Sequence, residues 1–366
     1  MEKTEKIKKI VFTGGPCSGK TTGLSYVQEK LADYGFQAFV VPEVATDIIK
    51  SGFHLQKGIS PENFQKSILM HILERENRWE ETAKYFPNQK KVLLCDRGAM
   101  DGMAYIAPEI FIELVRDIGY GIVDLRDGRY DGGIIHLRTA ALGAEKFYTL
   151  INNSARKETI EEARALDEKT LLAWNGHPKL RVIDNGTDFA GKMRRTLQTI
   201  CRFLEIPVPL EIERKYLIRR MKPKDLPVAY QEIEIEQHYL KSDSEEEMRL
   251  RKRGQNEHFV YYLTSKRQSK PGVRIETERM ISRKEFDILL KLKDPNFNPI
   301  IKKRYCFIWE NQYFELDIIE REPMNFHLLE IELTEEQDSV KIPPFIKVLE
   351  DVTTKKDFSN YELARR

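Results

Sequence analysis

The sequence predicts an α/β domain with a parallel sheet and helices on both faces, followed by an α+β domain built on an antiparallel sheet. Three observations predict this. The 366 residues exceed what one hydrophobic core usually serves. Up to about residue 205, short apolar strands alternate with helical patterns, and beyond it the apolar period is mostly two. The proline-bearing break at residues 206–209 therefore predicts domains 1–205 and 206–366.

The first domain contains five apolar segments of strand length. They are KKIVFTGG, FQAFVVPE, KVLLCDRG, GGIIHLRTA and LRVIDNG. Helical patterns separate them, one with Leu24, Val27 and Leu31 on a single stripe and one from Pro61 to about Phe86. Strands separated by helices predict a parallel sheet covered on both faces.

The second domain contains about eight segments in which apolar and polar residues alternate. They are LEIERKYLI, YQEIEIEQHYL, EMRLRKR, HFVYYLTSKR, VRIETERMIS, KKRYCFIWE, QYFELDIIE and HLLEIEL. Two helical patterns, RKEFDILLKL and DFSNYELARR, interrupt or follow them. Mostly short connections between such strands favour an antiparallel barrel or sandwich.

Composition excludes several classes of protein. Lys plus Arg number 60 and Asp plus Glu 58, and this net charge of +2 argues against a wholesale nucleic-acid binder. No apolar run approaches the length of a transmembrane segment, and MEKTEKIKK lacks the apolar stretch of a signal peptide. We therefore expect a cytoplasmic protein, whose four widely spaced cysteines are reduced thiols that form neither a zinc site nor a disulfide framework.

A phosphate-binding motif follows the first predicted strand. The pattern G-x-x-x-x-G-K-[ST] lies between a strand and an amphipathic helix, which is the context in which it forms a P-loop. Its backbone N–H groups would cradle the phosphates of ATP or GTP, Lys20 would add a positive charge, and Thr21 would bind Mg²⁺. The predicted nucleotide-binding residues are Gly14, Gly15, Pro16, Cys17, Ser18, Gly19, Lys20, Thr21 and Thr22. No N-K-x-D sequence is present, so guanine specificity cannot be deduced.

Two further predicted strands end in charged residues. Asp96 is expected to be a second magnesium contact, and Arg97 beside it a phosphate contact, although a strand-end pair of this kind often only caps or faces solvent. Glu43 follows FVVP, where P-loop kinases of small metabolites and nucleosides, which this half resembles, often carry a carboxylate that receives the acceptor hydroxyl. Glu43 is thus a candidate base or substrate anchor, or a carboxylate stabilised at a helix N-terminus.

A polar helical stretch from Asn152 to Trp174 occupies the place where such kinases carry a lid over the phosphates. Arg156 and Arg164 are candidate phosphate contacts on it. The alternative is a charged helix that is simply exposed to solvent.

Charged residues recur at i, i+2 spacing along the second domain, so each set lies on one face of its strand. The first set is Glu211, Glu213 and Lys215, and a wet strand face would explain it alone. Later sets are Arg249, Arg251 and Arg253; Glu276 and Glu278; Lys302 and Arg304; Glu315 and Asp317; and Glu330 and Glu332. Gathered on one concave face they would bind metal ions and a polyanion together. Glu232, Glu234 and Glu236 repeat the spacing but are expected on a solvated rim.

These charged strands resemble the CYTH superfamily, also called triphosphate tunnel metalloenzymes, over residues 208–366. The resemblance implies an eight-stranded antiparallel β-tunnel that hydrolyses inorganic or organic triphosphates with Mg²⁺ or Mn²⁺. It implies metal contacts at Glu211, Glu213, Glu276, Glu278, Asp317, Glu330 and Glu332, with Glu211, Glu213 and Lys215 catalytic. It implies phosphate contacts at Lys215, Arg249, Arg251, Lys266 and Arg304.

Together these features predict a phosphate-handling enzyme that binds ATP or GTP at the P-loop and hydrolyses a triphosphate in the tunnel. Two alternatives stay open. The domain order is similar to eukaryotic proteins of the TRPL translocation defect type, which implies a nucleotide-switched module that holds a phosphoinositide headgroup or polyphosphate without turnover. The other alternative is a small-molecule kinase whose tunnel only senses polyphosphate.

Overall fold

The computed structural model describes residues 6–55, 58–87, 90–148, 159–206, 213–242, 247–270, 273–321, 324–333 and 339–365. Within the strands, the side chains of 267–270, 273–276, 320–321 and 324–325 are not described. The chain divides into two compact units, Met1–Leu204 and Glu205–Arg366.

The N-terminal unit contains a five-stranded parallel sheet in the order β2-β3-β1-β4-β5. Its strands are β1 (Lys8–Thr13), β2 (Gln37–Val41), β3 (Lys91–Asp96), β4 (Gly133–Leu137) and β5 (Leu180–Ile183). Successive residues of β1, β3 and β4 are buried, which requires cover on both faces. The predicted α/β domain is confirmed. The carboxyl ends of β1, β2 and β3 meet at one edge, so the residues that follow them become neighbours.

Six α-helices accompany this sheet in the described residues. They are α1 (Lys20–Ala32), α2 (Val44–Lys50), α3 (Pro61–Lys84), α4 (Pro108–Asp117), α5 (Ile160–Ala173) and α6 (Phe189–Phe203). The predicted stripe of α1, Leu24, Val27 and Leu31, is buried. Helix α5 begins in a capping box, in which Thr159 Oγ1 accepts from Glu162 N–H and the Glu162 side chain accepts from Thr159 N–H.

The C-terminal unit contains a nine-stranded sheet in the order β10-β9-β8-β7-β11-β12-β13-β6-β14, with every pairing antiparallel. Its strands are β6 (Glu213–Ile218), β7 (Tyr230–Tyr239), β8 (Glu247–Gln255), β9 (His258–Lys270), β10 (Val273–Ile281), β11 (Ile300–Trp309), β12 (Gln312–Arg321), β13 (Met324–Glu332) and β14 (Val348–Asp351). The eight predicted strands are β6 to β13. The ninth, β14, was not predicted and pairs with β6.

The register sorts the side chains of this sheet into two faces. Tyr216, Tyr305, Leu316 and Leu329 are cross-strand neighbours on one face, where they pack with apolar residues of segment 340–348. The opposite face carries the ionised groups, and we call it the charged face. Its described members include Glu213, Lys215, Arg249, Arg251, Lys302, Arg304, Glu315, Asp317 and Glu330.

The C-terminal helix covers the apolar end of the charged face. The unit contains α7 (Arg283–Leu289) and α8 (Asn360–Arg365). Leu363 and Ala364 of α8 are fully buried among side chains that continue the same strand faces as the charges, including Ile300, Ile319 and Leu328. The charged face is therefore closed at this end by the unit's own chain.

Replacing Leu363 by alanine should lower the free energy of unfolding of the C-terminal unit by about 2–5 kcal/mol, because it leaves a cavity in this cluster. Leu349 on β14 is 56% exposed, and Leu349→Ala should change the free energy by less than about 0.5 kcal/mol. Urea-dependent hydrogen exchange in β12 peptides measures both. Equal effects of the two variants would show that α8 does not seal the sheet.

Candidate functional site

The loop of residues 14–19 joins β1 to α1 and passes close to the end of β4. Gly14 has φ +135°, and a Cβ atom there would lie 2.1 Å from the Leu137 carbonyl oxygen. Gly19, with φ +89°, precedes the first helical residue, Lys20. Glycine is required at Gly14 by both conformation and space. The loop thus ends at the N-terminus of α1, a position whose free N–H groups favour anions.

Lys20 folds back over this loop. Its Nζ donates to the carbonyl oxygens of Gly14 and Gly15, each at 2.9 Å, and to Ser18 Oγ at 3.1 Å. Burial and the nearby Arg97 guanidinium lower the pKa of Lys20 to about 8. Thr21 and Thr22, in the first turn of α1, are exposed. The predicted P-loop residues therefore form one local site.

Glu43, Asp96 and Arg97 meet at the carboxyl edge of the sheet, beside Lys20. Arg97 Nε donates to Glu43 Oε1 at 2.7 Å, and the Thr46 hydroxyl donates to Glu43 Oε2 at 2.6 Å. Burial opposes ionisation of Glu43, but Arg97, the Thr46 hydroxyl and Lys20 together outweigh it and lower the pKa of Glu43 below its ordinary value. Glu43 is thus a paired carboxylate at the mouth of the P-loop.

Asp96 retains an unsatisfied oxygen. Its Oδ1 is buried and has no hydrogen-bond partner among the described atoms. Burial raises the pKa of Asp96, although Lys20 opposes the rise. A carboxylate oxygen in this position, beside Lys20 of the P-loop, fits the oxygen-donor chemistry of Mg²⁺.

Side chains distant in sequence hold the carbonyl groups of the P-loop. Lys192 of α6 donates from Nζ to Ser18 O at 3.0 Å, Arg138 O at 2.6 Å and Asn185 Oδ1 at 2.7 Å. The Thr139 hydroxyl donates to Pro16 O. Burial lowers the pKa of Lys192 to about 8. No local sequence pattern marked Lys192, Thr139 or Asn185.

The two predicted lid arginines have different outcomes. Arg156 lies outside the described residues. Arg164 on α5 donates from Nε to Ala141 O at 2.6 Å and from Nη2 to Glu145 Oε1 at 3.0 Å. The structure thus binds Arg164 to the segment after β4, and its role as a phosphate contact stays a prediction.

On the charged face, Lys215 lies between two carboxylates. Its Nζ is 3.1 Å from Glu213 Oε1 and 2.9 Å from Glu330 Oε1. Burial opposes the charge, but Glu330 and Glu213 outweigh it and raise the pKa of Lys215 above its ordinary value. Burial likewise disfavours ionised Glu330, yet Lys215, Lys302 and Arg304 hold its pKa well below the ordinary range. Lys215 and Glu330 are therefore both ionised near neutral pH.

Arg304 is the centre of the second half of this network. Its Nε and Nη2 donate to the two oxygens of Asp317, each at 2.7 Å, and Nη2 also donates to Glu330 Oε2 at 2.6 Å. Nη1 donates to Glu315. The neighbouring Lys302 donates to Asp317. Arg304, predicted as a phosphate contact, is therefore held by three carboxylates in this structure.

Strands β8 to β10 supply the other basic groups. Arg249 is buried, and Arg251 Nη1 is 3.1 Å from Glu278 Oε2, which also accepts from Thr264 Oγ1 at 3.0 Å. Lys266 lies opposite Glu276 in the register of β9 and β10. The predicted phosphate contacts Arg249 and Arg251 and the predicted metal contact Glu278 thus share one part of the face.

The donor set fits a divalent cation only in part. Glu213 and Glu332 lie directly opposite each other on β6 and β13, and such like charges repel unless a cation lies between them. Their carboxylate oxygens suit Mg²⁺ or Mn²⁺. Among the described residues, no group of three or more His, Cys, Asp and Glu side chains is arranged so that it could hold a metal ion. Glu211 lies outside those residues, and the side chain of Glu276 is not described.

Within the described part of the chain, no helix combines the length and apolar character that crossing a bilayer requires.

Comparisons with known proteins match the two units separately. The model of an AAA domain family matches residues 9–192, and that of the CYTH domain matches residues 209–342. The chain is similar to a crystal structure of the inorganic triphosphatase NE1496, with 27% identity, 43% of this chain and 95% of the other covered, and a TM-score of 0.32. It is also similar to PH1819 from Pyrococcus horikoshii OT3, with 20% identity, 35% and 80% covered, and a TM-score of 0.28.

Comparison with curated proteins gives no match. The AAA domain match covers the P-loop and the edge of the sheet around it, and the CYTH match covers most strands of the charged face. The chain belongs to the AAA domain family, whose model matches residues 9–192, and residues 209–342 match the model of the CYTH domain.

Proposed function

We propose that this protein binds ATP or GTP at the P-loop and hydrolyses a triphosphate, inorganic or organic, on the charged face of its C-terminal unit. One observation carries the proposal. Carboxylates from β6, β12 and β13 lie on the same face as basic residues from β6, β8 and β11. That combination is complementary to a triphosphate with its divalent cation.

The basic residues divide into two groups by their strands, and Arg251 of the second group is itself paired with a carboxylate, Glu278, at 3.1 Å. Lys215, Lys302 and Arg304 each contact carboxylates within 3.1 Å and hold the acidic groups in place. Arg249, Arg251 and Lys266 lie on β8 and β9, across the face from most of those carboxylates. We assign phosphate binding first to Arg249, Arg251 and Lys266, which would stabilise charge that develops on the phosphoryl oxygens.

Glu211, Glu213, Glu330 and Glu332 would hold Mg²⁺ or Mn²⁺, with Glu276, Glu278 and Asp317 around them. When bound there, the cation supplies Lewis acidity toward the phosphoryl oxygens and lowers the pKa of water. The side chains of this unit bind and orient the phosphate chain. Within the N-terminal unit, Thr21 and Asp96 would hold Mg²⁺ and Lys20 the terminal phosphates.

Nucleotide affinity should depend on pH through Lys20. Its pKa in the free protein is about 8, so the ammonium attracts phosphate fully below that pH and is lost as pH rises above it. We expect the dissociation constant to rise up to about tenfold per pH unit above this midpoint. Titration of a fluorescent ATP or GTP analogue between pH 6.5 and 9.5 measures it. Lys20→Met should bind weakly and with a smaller pH dependence near pH 8, where Lys192 also titrates, and an identical profile in both proteins would contradict the assignment.

A panel of substrates tests the proposed activity. Phosphate release is measured with inorganic triphosphate, ATP, GTP and thiamine triphosphate, each with Mg²⁺ or Mn²⁺ and with a chelator. The proposal predicts release that requires the cation for at least one triphosphate. Cation-independent release, or release lost only in Lys20→Ala, would contradict hydrolysis on the charged face.

The pairing of Arg304 with Glu315, Asp317 and Glu330, which supplies these carboxylates with a counter-charge from the protein itself, favours one second candidate. In it, the charged face holds polyphosphate without turnover, and the nucleotide acts as a switch, as the similarity to TRPL-type proteins suggested. Binding of inorganic triphosphate by calorimetry without phosphate release would support this module. A further alternative is transfer of phosphate to a small acceptor at Glu43. Nucleotide consumption that depends on an added acceptor would support it.

A further inference from the structure

Asp167 on α5 is fully buried and directs its carboxylate at the P-loop backbone. Oδ1 accepts from the N–H of Gly15 at 2.7 Å and of Thr139 at 3.1 Å, and Oδ2 accepts from Arg138 Nη1 at 2.8 Å. We propose that Asp167 is a positioning residue of the nucleotide site, which locks the Gly14–Gly15 peptide and thereby places Lys20. This inference rests on the proposed binding of nucleotide by the N-terminal unit.

The link to Lys20 runs through a single peptide group. In a trans peptide the C=O of one residue and the N–H of the next point in opposite directions. Asp167 holds the N–H of Gly15 on one side, and the C=O of Gly14 accepts from Lys20 Nζ at 2.9 Å on the other. Fixing one end of this peptide therefore fixes the acceptor that holds the lysine.

Two glycines flank this peptide, so it needs an external lock. Glycine adopts positive and negative φ with similar ease, and Gly14 is at +135°. A peptide between two glycines can rotate at little steric cost, which would turn the Gly14 oxygen away from Lys20. A Cβ at Gly15 would lie 2.9 Å from Asp167 Cβ, so glycine at that position is also what admits the carboxylate.

The rest of the loop is oriented from the same side. Pro16 O accepts from the Thr139 hydroxyl, Cys17 O from Ala140 N–H at 3.1 Å, and Ser18 O from Lys192 Nζ at 3.0 Å. By the same peptide geometry, the N–H groups of residues 17–19 face the opposite side, where an anion can be bound. Asp167 supplies the one contact in this series that accepts from a loop N–H.

Burial of the carboxylate is compensated by its partners. An ionised carboxylate without solvent is costly unless charge-assisted hydrogen bonds replace water. Asp167 has the two N–H groups and the Arg138 guanidinium, while His136 Nε2 lies 3.3 Å away without a hydrogen bond. The same contacts keep Arg138, 5% exposed, bound to Asp167 and Glu168.

The test compares Asp167→Ala, Asp167→Asn and the control Glu168→Gln. Glu168 also contacts Arg138, at 2.6 Å, but is bonded to no P-loop group in the described contacts. Two quantities are measured in the full chain below its unfolding temperature. They are the affinity for fluorescent ATP and GTP analogues, and hydrogen exchange of the peptide spanning residues 14–21 without nucleotide.

Asp167→Ala should weaken nucleotide binding about ten- to hundredfold, the usual effect of losing a buried charged hydrogen bond. Exchange in peptide 14–21 should rise while β1 and β3 peptides stay protected. Asp167→Asn keeps an oxygen that accepts from the Gly15 N–H and should therefore lose less nucleotide affinity than Asp167→Ala. Glu168→Gln should match the wild type in both affinity and exchange. If Asp167→Ala does not fold, the inference is tested by the smaller loss of affinity and the smaller rise in loop exchange expected for Asp167→Asn.

Unchanged affinity and unchanged loop exchange in a folded Asp167 variant would overturn the inference. Exchange that rises equally in β1 and β3 would also overturn it, because it would show a general structural role. A wild-type protein that binds neither nucleotide would contradict the proposed function instead, and peptide 14–21 would still test whether Asp167 holds the loop.

Discussion

Replacing Arg304 by methionine should lower the free energy of unfolding of the C-terminal unit by about 3–5 kcal/mol at pH 7. The guanidinium contacts Glu315, Asp317 and Glu330, which are all largely buried. Without it, three carboxylates face one another with only Lys215 and Lys302 to offset them. Urea-dependent hydrogen exchange of β12 and β13 peptides measures the change.

Lys303→Met is the matched control, because Lys303 is the next residue on the opposite face of β11. Its ion pair with Glu232, at 2.7 Å, is formed by side chains 58% and 42% exposed, and its loss should cost less than about 1 kcal/mol. The pKa of Glu330 is depressed in the folded state, so its pairing stabilises above the ordinary glutamate pKa of about 4.3. The cost of Arg304→Met should therefore shrink as pH falls below that value.

Divalent cations should partly rescue Arg304→Met. If the carboxylates around Arg304 take part in binding Mg²⁺ or Mn²⁺, the released oxygens gain a replacement counter-charge. Mn²⁺ should then raise the stability of the variant more than that of the wild type. Equal increases in the stability of both proteins on addition of Mn²⁺ would show that Arg304 does not compete with the cation for these carboxylates.

Replacing Gly14 by alanine should destabilise the N-terminal unit by about 3–5 kcal/mol and abolish nucleotide binding. The φ of +135° strains any other residue, and the added Cβ would lie 2.1 Å from the Leu137 carbonyl. The P-loop would have to move away from β4. Hydrogen exchange of the β1 and β4 peptides and nucleotide titration report the two effects.

Gly35→Ala is the control that measures the cost of a positive φ without a steric clash of the added Cβ. Gly35 also has a positive φ, +78°, but a Cβ there would meet nothing within 4 Å. Its replacement should cost only about 1 kcal/mol and leave nucleotide binding unchanged. Comparable losses in both variants would contradict a close approach of the P-loop to β4.

Local patterns predicted the P-loop and both fold classes, because each depends on spacing within a few residues. The period of two placed Glu213 and Lys215 on one face of β6, as the register confirms. The glutamates at the same i, i+2 spacing in β7 do not lie on the charged face. Glu232 and Glu234 are exposed on the opposite face, since Ile233 is the cross-strand neighbour of Arg304. The solvated position expected for Glu232 and Glu234 is confirmed, but face assignment rests on pairing with a distant strand.

Contacts between distant residues could not be predicted. Asp167 lies 152 residues from Gly15 and Lys192 lies 174 from Ser18, and both resemble ordinary helix residues in sequence. The sequence predicted the charge of Arg304 and the strand face on which it lies. It did not predict that the guanidinium donates to three carboxylates. β14 was missed because four residues, three of them exposed, carry little periodic signal.

We propose that the charged face carries out triphosphate hydrolysis and that the P-loop binds the nucleotide. Phosphate release from inorganic triphosphate, measured with Mg²⁺ or Mn²⁺ in Lys20→Ala and in a Glu211→Ala, Glu213→Ala double variant, tests it most directly. We expect Lys20→Ala to retain wild-type release and the double variant to lose at least about a hundredfold, as for other essential catalytic groups. Release that survives the double variant and disappears in Lys20→Ala would contradict the account.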